Sequence, residues 1–157
     1  MFREMLRKKQ ALTLDECVRV LREEKRGVLS VIGDDGYPYA LPIDHYWADD
    51  GHIYFHCGRT GHKLDAIEKC DKVSYCVIDS GVHKDGDWAL TFQSVIVFGR
   101  ARLVQDHEKC LSLSRALSYK FTQDSAYIES EILHSGSGVA CIERIPEHIS
   151  GKRVHEA

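Results

Sequence analysis

No apolar run in this chain approaches the roughly 18 residues that a membrane-crossing helix needs. The opening residues, Met1-Phe2-Arg3-Glu4-Met5-Leu6-Arg7-Lys8-Lys9, lack the apolar core of a secretion signal, so a cytoplasmic protein without membrane partners is expected. No CxxC pair occurs among the six cysteines, Cys17, Cys57, Cys70, Cys76, Cys110 and Cys141, and the ligand spacing of structural zinc is therefore missing. The chain is also too long and too regular for a small disulfide scaffold, which leaves free thiols as the expectation. There is no block of like charge, and a net charge of −3 gives no long-range attraction to nucleic acid. GxSxG, HExxH and Walker motifs are absent, and no GxGxxG follows a strand. With no internal repeat and no low-complexity segment, the 157 residues read as one domain spanning 1–157.

What is present is a series of short strands joined by turns. Residues 13 to 25 open on a capping box, with Thr13 as cap and Glu16 three residues on, and Leu14, Cys17, Val18 and Leu21 share one face. Strands follow over 27–32, 37–47, 52–57, 72–79 and 90–104, with a closing strand over 138–149 and a loose tail after Gly151. Gly33-Asp34-Asp35-Gly36 reads as a hairpin turn. Pro38 and Pro42 cannot donate to a ladder, so their strand is expected at a sheet edge or interrupted. Residues 80–89 read as a loop, and helices are expected near 60–69, 106–121 and 125–133. Hairpin links imply an antiparallel meander, and six strands with a bend near Gly99 would close into a small barrel with flanking helices.

The segment Arg59-Thr60-Gly61-His62-Lys63-Leu64-Asp65 carries an electrostatic conflict. Thr60 reads as an N-cap, which puts Arg59, His62 and Lys63 at or inside the first turn of a helix. A helix start already carries about half a positive charge and unpaired N–H groups. An anion such as a phosphate would resolve the conflict, and Gly61 would admit it close to the backbone. Chance placement, partly offset by Asp65, is the competing explanation. Gln93 and Ser94 stand polar at the start of an apolar strand, either as a solvated strand end or as contacts for a polar ligand. His56, three residues before Arg59, would lie near the rest of any ligand held by that helix. His52 and His56 share a strand face, but no third metal ligand has suitable spacing, so no metal site is expected.

Four ordered motifs carry a resemblance. They are Gly33-Asp34-Asp35-Gly36-Tyr37-Pro38-Tyr39-Ala40-Leu41-Pro42, Ile53-Tyr54-Phe55-His56-Cys57, Gly61-His62-Lys63-Leu64-Asp65 and Ser94-Val95-Ile96-Val97-Phe98-Gly99-Arg100-Ala101. Together they resemble the 5-nitroimidazole-resistance flavoproteins of the pyridoxamine 5'-phosphate oxidase-like, FMN-binding split-barrel superfamily. The resemblance implies a mainly β fold, a six-stranded antiparallel split β-barrel with flanking helices. It implies a homodimer with flavin at the interface, FMN or alternatively FAD, and a flavin-dependent reductase acting on a small molecule such as a nitroimidazole. His62 and Lys63 would grip the phosphate, with Arg59, Thr60 and Gly61 around it. Ala40, Leu41, Pro42 and Ile43 would line the ring with backbone groups, and Gln93 and Ser94 would touch the flavin across the dimer. His56 is the implied catalytic residue. Ile43-Asp44-His45 departs from the pattern and puts a carboxylate and an imidazole near the pocket, and Trp88 could cap the flavin. A non-enzymatic flavin-binding protein and a split barrel holding haem through His56 or His45 are the alternatives.

Overall fold

Strand alternation builds the interior. In β1 (Arg26–Ile32) and β5 (Lys72–Ile78) every second residue is buried, and Leu29, Val31, Val73, Tyr75 and Val77 all point the same way. β7 (Leu90–Leu103) adds Val95, Val97 and Ala101 to that face. The computed structural model, which describes residues 1–156, arranges these strands in one antiparallel sheet. The others are β2 (Pro38–Asp44), β3 (Tyr46–Trp47), β4 (Ile53–Gly58), β6 (Val82–His83) and β8 (Val139–His155). Seven follow the order β2-β1-β5-β7-β8-β4-β3, and β6 pairs with the start of β7.

The six expected strands are thus eight in one sheet. Two sources account for the difference. A single residue, His45, separates β3 from β2, and the polar 80–89 stretch, expected as a loop, contributes β6. The tail expected to be loose after Gly151 is instead strand to His155, because β7 is long enough to pair with it from Thr91↔His155 to Leu103↔Ile142. The expected bend is present: the register of β7 on β8 shifts between Phe98 and Gly99. A Cβ on Gly99 would lie 2.1 Å from the Ile145 carbonyl oxygen, so only glycine fits this bulge.

Although β2 and β3 are neighbours in the chain, they occupy opposite edges of the sheet. The sheet therefore curls until its two edges approach, which makes a half-barrel with a split between β2 and β4. The prolines explain why β2 is an edge: one row of its backbone groups must lie outside any ladder.

Helix α1 (Leu14–Glu23) carries the expected capping box at Thr13 and Glu16, and buries Cys17, Val20 and Leu21 against the sheet. α2 (His62–Lys69) packs Leu64, Ala66 and Ile67 on the same core. α3 (His107–Ser118), capped by Asp106, covers the other side of β4 and β8, and α4 (Ser125–Ser135), capped by Asp124, packs on α3. They bury Tyr54, which the alternation alone would have left outside. All six cysteines are free thiols. No helix among the described residues is long and apolar enough to cross a membrane.

The outer face of β1, β5 and β7 carries apolar side chains and is only partly covered, by the N-terminal segment, where Phe2 stacks on Phe98 and Met5 lies beside Ile96. Val28, Ile32, Ile78, Ile96 and Phe98 are 40–57% exposed there.

Candidate functional site

The basic helix start is organised around glycine. The N-cap of α2 is Gly61, not Thr60, and no side chain caps this helix. Gly61 has φ 132°, a conformation that a threonine in its place would resist. The other three α-helices each have a side-chain oxygen on their first turn, from Thr13, Asp106 and Asp124. In α2 the Leu64 and Asp65 N–H groups bond the Gly61 carbonyl, at 2.9 and 3.2 Å. Those of His62 and Lys63 have no acceptor among the described residues. Nothing lies within 4 Å of where a Gly61 Cβ would sit, so the space in front of these donors is open. Free N–H groups, an open approach and basic side chains suit a bound anion.

The edge strand runs away from this point. The His62 ring stacks on Tyr39 of β2, with centroids 4.2 Å apart and planes 13° from parallel. His62 Nε2 is also 3.7 Å from Asp34, which Lys69 approaches at 3.1 Å. From Tyr39, β2 passes Ala40, Leu41, Pro42 and Ile43 to Asp44, about 17 Å at ~3.3 Å per residue. Leu41 and Ile43 turn toward the core, Ala40 and Pro42 are exposed, and the outer row of backbone groups is unpaired by any strand.

At the far end lies His56. β3 pairs with β4 as Tyr46↔Tyr54. Two residues further in the same register Asp44 would face His56, but β2 has already left β4 for β1. Asp44 and His56 line a cavity of about 210 Å³ closed by Leu117, Phe121, Tyr127 and Ile128 of the α3–α4 region. Burial lowers the His56 pKa while the Asp44 charge opposes the shift. Its ring has no hydrogen-bond partner among the described residues, so a neutral imidazole is presented to the cavity. Asp44 is held in place by Arg26, at 2.6 Å from Nε.

His45 has a different job. It is fully buried, and its Nε2 lies 2.6 Å from the Leu21 carbonyl, which can only accept. That assigns the proton to Nε2 and leaves Nδ1 to receive the Tyr75 hydroxyl at 2.9 Å. Burial, with the nearby Lys120 charge, lowers its pKa to about 4. With both nitrogens engaged it is not free to ligate haem, so of the two histidines named for that alternative only His56 has unpartnered ring nitrogens. Lys120, itself lowered to about 8 by burial, donates to the carbonyls of Glu24 and His45 and ties α3 to the crossing between β2 and β3.

Gln93 and Ser94 are not brought to this site within the protomer. Gln93 bonds Asp79 and faces Arg153, while Ser94 lies beside Arg3 and Met5. Ser94 pairs with Ile78, a position level with Arg26 and Asp44 but three strands away, about 14 Å. The two also point to opposite faces of β7. Trp88 is 76% exposed at the approach to β7.

Sequence reasoning missed a polar cluster. Asp50, His52 and Glu143 bring ligand-type atoms within 4.8 Å of one another, with the Tyr54 hydroxyl bonded to both carboxylates. His52 was paired in expectation with His56, but its partner, Glu143, lies 91 residues away across the β4–β8 ladder. Burial would raise the Glu143 carboxyl; hydrogen bonds from Arg102, His52 and Tyr54 outweigh it and hold the pKa near about 2. The Arg102 guanidinium, 2.6 Å from Glu143, already supplies the cation.

The chain matches the Pyridoxamine 5'-phosphate oxidase family over residues 13–153, and it belongs to that family. No curated protein matches it. The solved structures that share its fold include three that span most of the chain. One is a protein from Bacteroides thetaiotaomicron provisionally assigned to 5-nitroimidazole antibiotic resistance, with TM-score 0.75 and 14% identity over 92% of this chain and 87% of that one. Another is an FAD-binding protein from Mesorhizobium loti, with TM-score 0.65 and 21% identity over 92% and 97%. The third is an FAD and haem binding protein from Mycobacterium smegmatis, with TM-score 0.70 and 17% identity over 92% and 72%. At these identities the likeness is one of fold.

Proposed function

We propose, on the premise of this family membership, that the chain is a flavin-dependent oxidoreductase that holds FMN along β2, from the start of α2 toward the split between β2 and β4. The observation that carries the reading is the uncapped, basic, open start of α2 at one end of an unpaired edge strand. The FMN phosphate would accept from the free His62 and Lys63 N–H groups, with Arg59, Thr60 and Gly61 around it. The ring would lie along Ala40, Leu41, Pro42 and Ile43, whose backbone groups match its polar edge. The length of β2 suits the reach from a flavin's phosphate to its ring. FAD, which two of the similar structures are described as binding, is the alternative flavin.

Bound flavin would supply two-electron redox chemistry; the chain positions it and governs protons. His56, neutral because it is buried, would orient a small substrate through its unpartnered ring nitrogens and hold the proton that the product needs. Asp44 keeps the ring's environment polar at the cavity mouth. The cavity is of a size for a small ring, and a nitroimidazole is the substrate class proposed.

A homodimer completes the arrangement. The exposed apolar face of β1, β5 and β7 is the surface a second copy would cover. A second copy could also deliver Gln93 and Ser94, which one protomer keeps apart from α2.

The experiment is an absorption spectrum of purified protein, followed by anaerobic NAD(P)H and then a nitroimidazole. Flavin bands that bleach and return support the reductase. Bands that no donor bleaches favour a flavin-binding protein without turnover. A colourless protein that neither FMN nor FAD reconstitutes sinks the proposal.

A further inference from the structure

Helix α3 is held at its two ends by different means. Near its start the Cys141 thiol donates to the Cys110 carbonyl at 3.5 Å, and the Lys109 ammonium stands 5.1 Å over the Tyr54 ring. Beyond its end, in the turn that follows Ser118, Lys120 donates to the carbonyls of Glu24 at 2.5 Å and His45 at 3.0 Å. Glu24 ends α1, and His45 is the single residue between β2 and β3. One ammonium thus joins three parts of the fold. Among the described residues no other side chain of α3 or its turn hydrogen-bonds to α1 or to that crossing. α4 rides with α3 through the Arg115–Glu129 pair, at 2.7 Å.

These contacts straddle the His56 cavity. Leu117, Ser118 and Phe121, which line its helical side, flank Lys120 in sequence. Asp44, which lines it from β2, directly precedes His45. The bond from Lys120 to His45 therefore joins the helical side of the cavity to its strand side. The choice of lysine is the telling point. Its head is half-buried and has no salt-bridge partner among the described residues. A charge taken from water and held only by carbonyls is a costly way to brace a wall. A long, flexible side chain that can leave for water regains its full solvation, so this tie is built to release.

We propose that Lys120 is the latch of the His56 cavity: while its head spans the Glu24 and His45 carbonyls, the wall carried by α3 and α4 stays against Asp44 and His56, and on release that wall swings from its Cys110 end and admits a ligand. The role in catalysis rests on the reading of this cavity as the substrate pocket; the latch itself does not. The charges that face the lysine are mixed. Glu24 and Asp44 favour its ammonium, Lys25 opposes it, Arg26 is paired with Asp44, and the fully buried His45 is neutral. Burial outweighs them and lowers the Lys120 pKa to about 8. A lysine in water titrates near about 10.4. The latched amine thus binds its proton less tightly than the released one, and raising the pH through 8 favours the latched state. A neutral amine still has N–H groups for both carbonyls.

The test labels His56 with diethyl pyrocarbonate in the full-length protein and reads it by peptide mass against His83, which is exposed on β6 and cancels the reagent's own pH dependence. Lys120→Met is expected to raise the ratio of His56 to His83 labelling by about threefold or more. In the unsubstituted protein the ratio is expected to fall by about threefold or more between about pH 7.5 and about pH 9. Lys120→Arg, charged throughout that window, should keep the protection and lose its pH dependence. A ratio unchanged in Lys120→Met overturns the inference, and so does a pH profile that Lys120→Arg shares. If Lys120→Met does not fold, a flat profile in the unsubstituted protein overturns it instead. Neither flavin nor substrate takes part in the labelling. A protein that takes no flavin but shows these ratios keeps the latch and loses the flavin reading; one that reduces a nitroimidazole while its ratios ignore Lys120 does the reverse.

Discussion

Individual side chains divide here into those that hold and those that are left free. Lys63 sits in the first turn of α2 beside backbone donors without acceptors. Lys63→Ala is expected to weaken FMN by roughly 1–3 kcal/mol, the worth of one charge-assisted hydrogen bond, as read by flavin fluorescence titration. For His56→Ala the expected result is retained flavin and slowed turnover; loss of flavin instead would make the residue structural. His45 sets an acid limit. Its folded pKa, about 4, lies below the unfolded value of about 6.5. The unfolded chain therefore takes up the proton first, and stability present above about pH 6.5 drains away as pH falls toward 4, by on the order of 3 kcal/mol. Urea midpoints across that window check this, with Tyr75→Phe as a control that alters the Nδ1 partner. No local motif disclosed this role. A histidine between Asp44 and Tyr46 looks like a pocket residue until the carbonyl of Leu21, 24 residues earlier, is seen against its ring.

Elements carry their reasons more openly. The capping box of α1, the positions of α3 and α4, and the edge position that two prolines force on β2 were readable, because each depends on residues a few positions apart; the Asp106 and Asp124 caps emerge only with the structure. The bend at Gly99 was readable as a glycine, though not as a bulge. Gly99→Ala should cost roughly 2–4 kcal/mol, since its Cβ would meet the Ile145 carbonyl at 2.1 Å; thermal unfolding measures it. Long-range pairing was not readable. The reach of β8 to His155 depends on the length of β7, and the pairing of β6 on two residues of a polar stretch. At α2 the segment was right and the cap wrong. Threonine preference pointed to Thr60, while the positive φ at the chain's turn into the helix selects the glycine after it.

For the molecule as a whole, the proposed second copy would cover the apolar outer face and could bring Gln93 and Ser94 to α2. Ile96 lies on that face, away from the split, and is 40% exposed. Ile96→Lys is expected to convert the proposed dimer to monomer in light scattering, and to lower flavin affinity by about tenfold or more. A variant that stayed dimeric with full affinity would place the interface elsewhere. The sheet order also bears on how the protein comes to be made. β8 is synthesised after every other strand, yet it lies between β7 and β4 in the finished sheet. Until residues 139–155 leave the ribosome, β7 and β4 have no common partner, and two long strand edges stay bare. The barrel can thus close only once β8 is available, and a nascent chain stalled before residue 139 would be the form most in need of a chaperone.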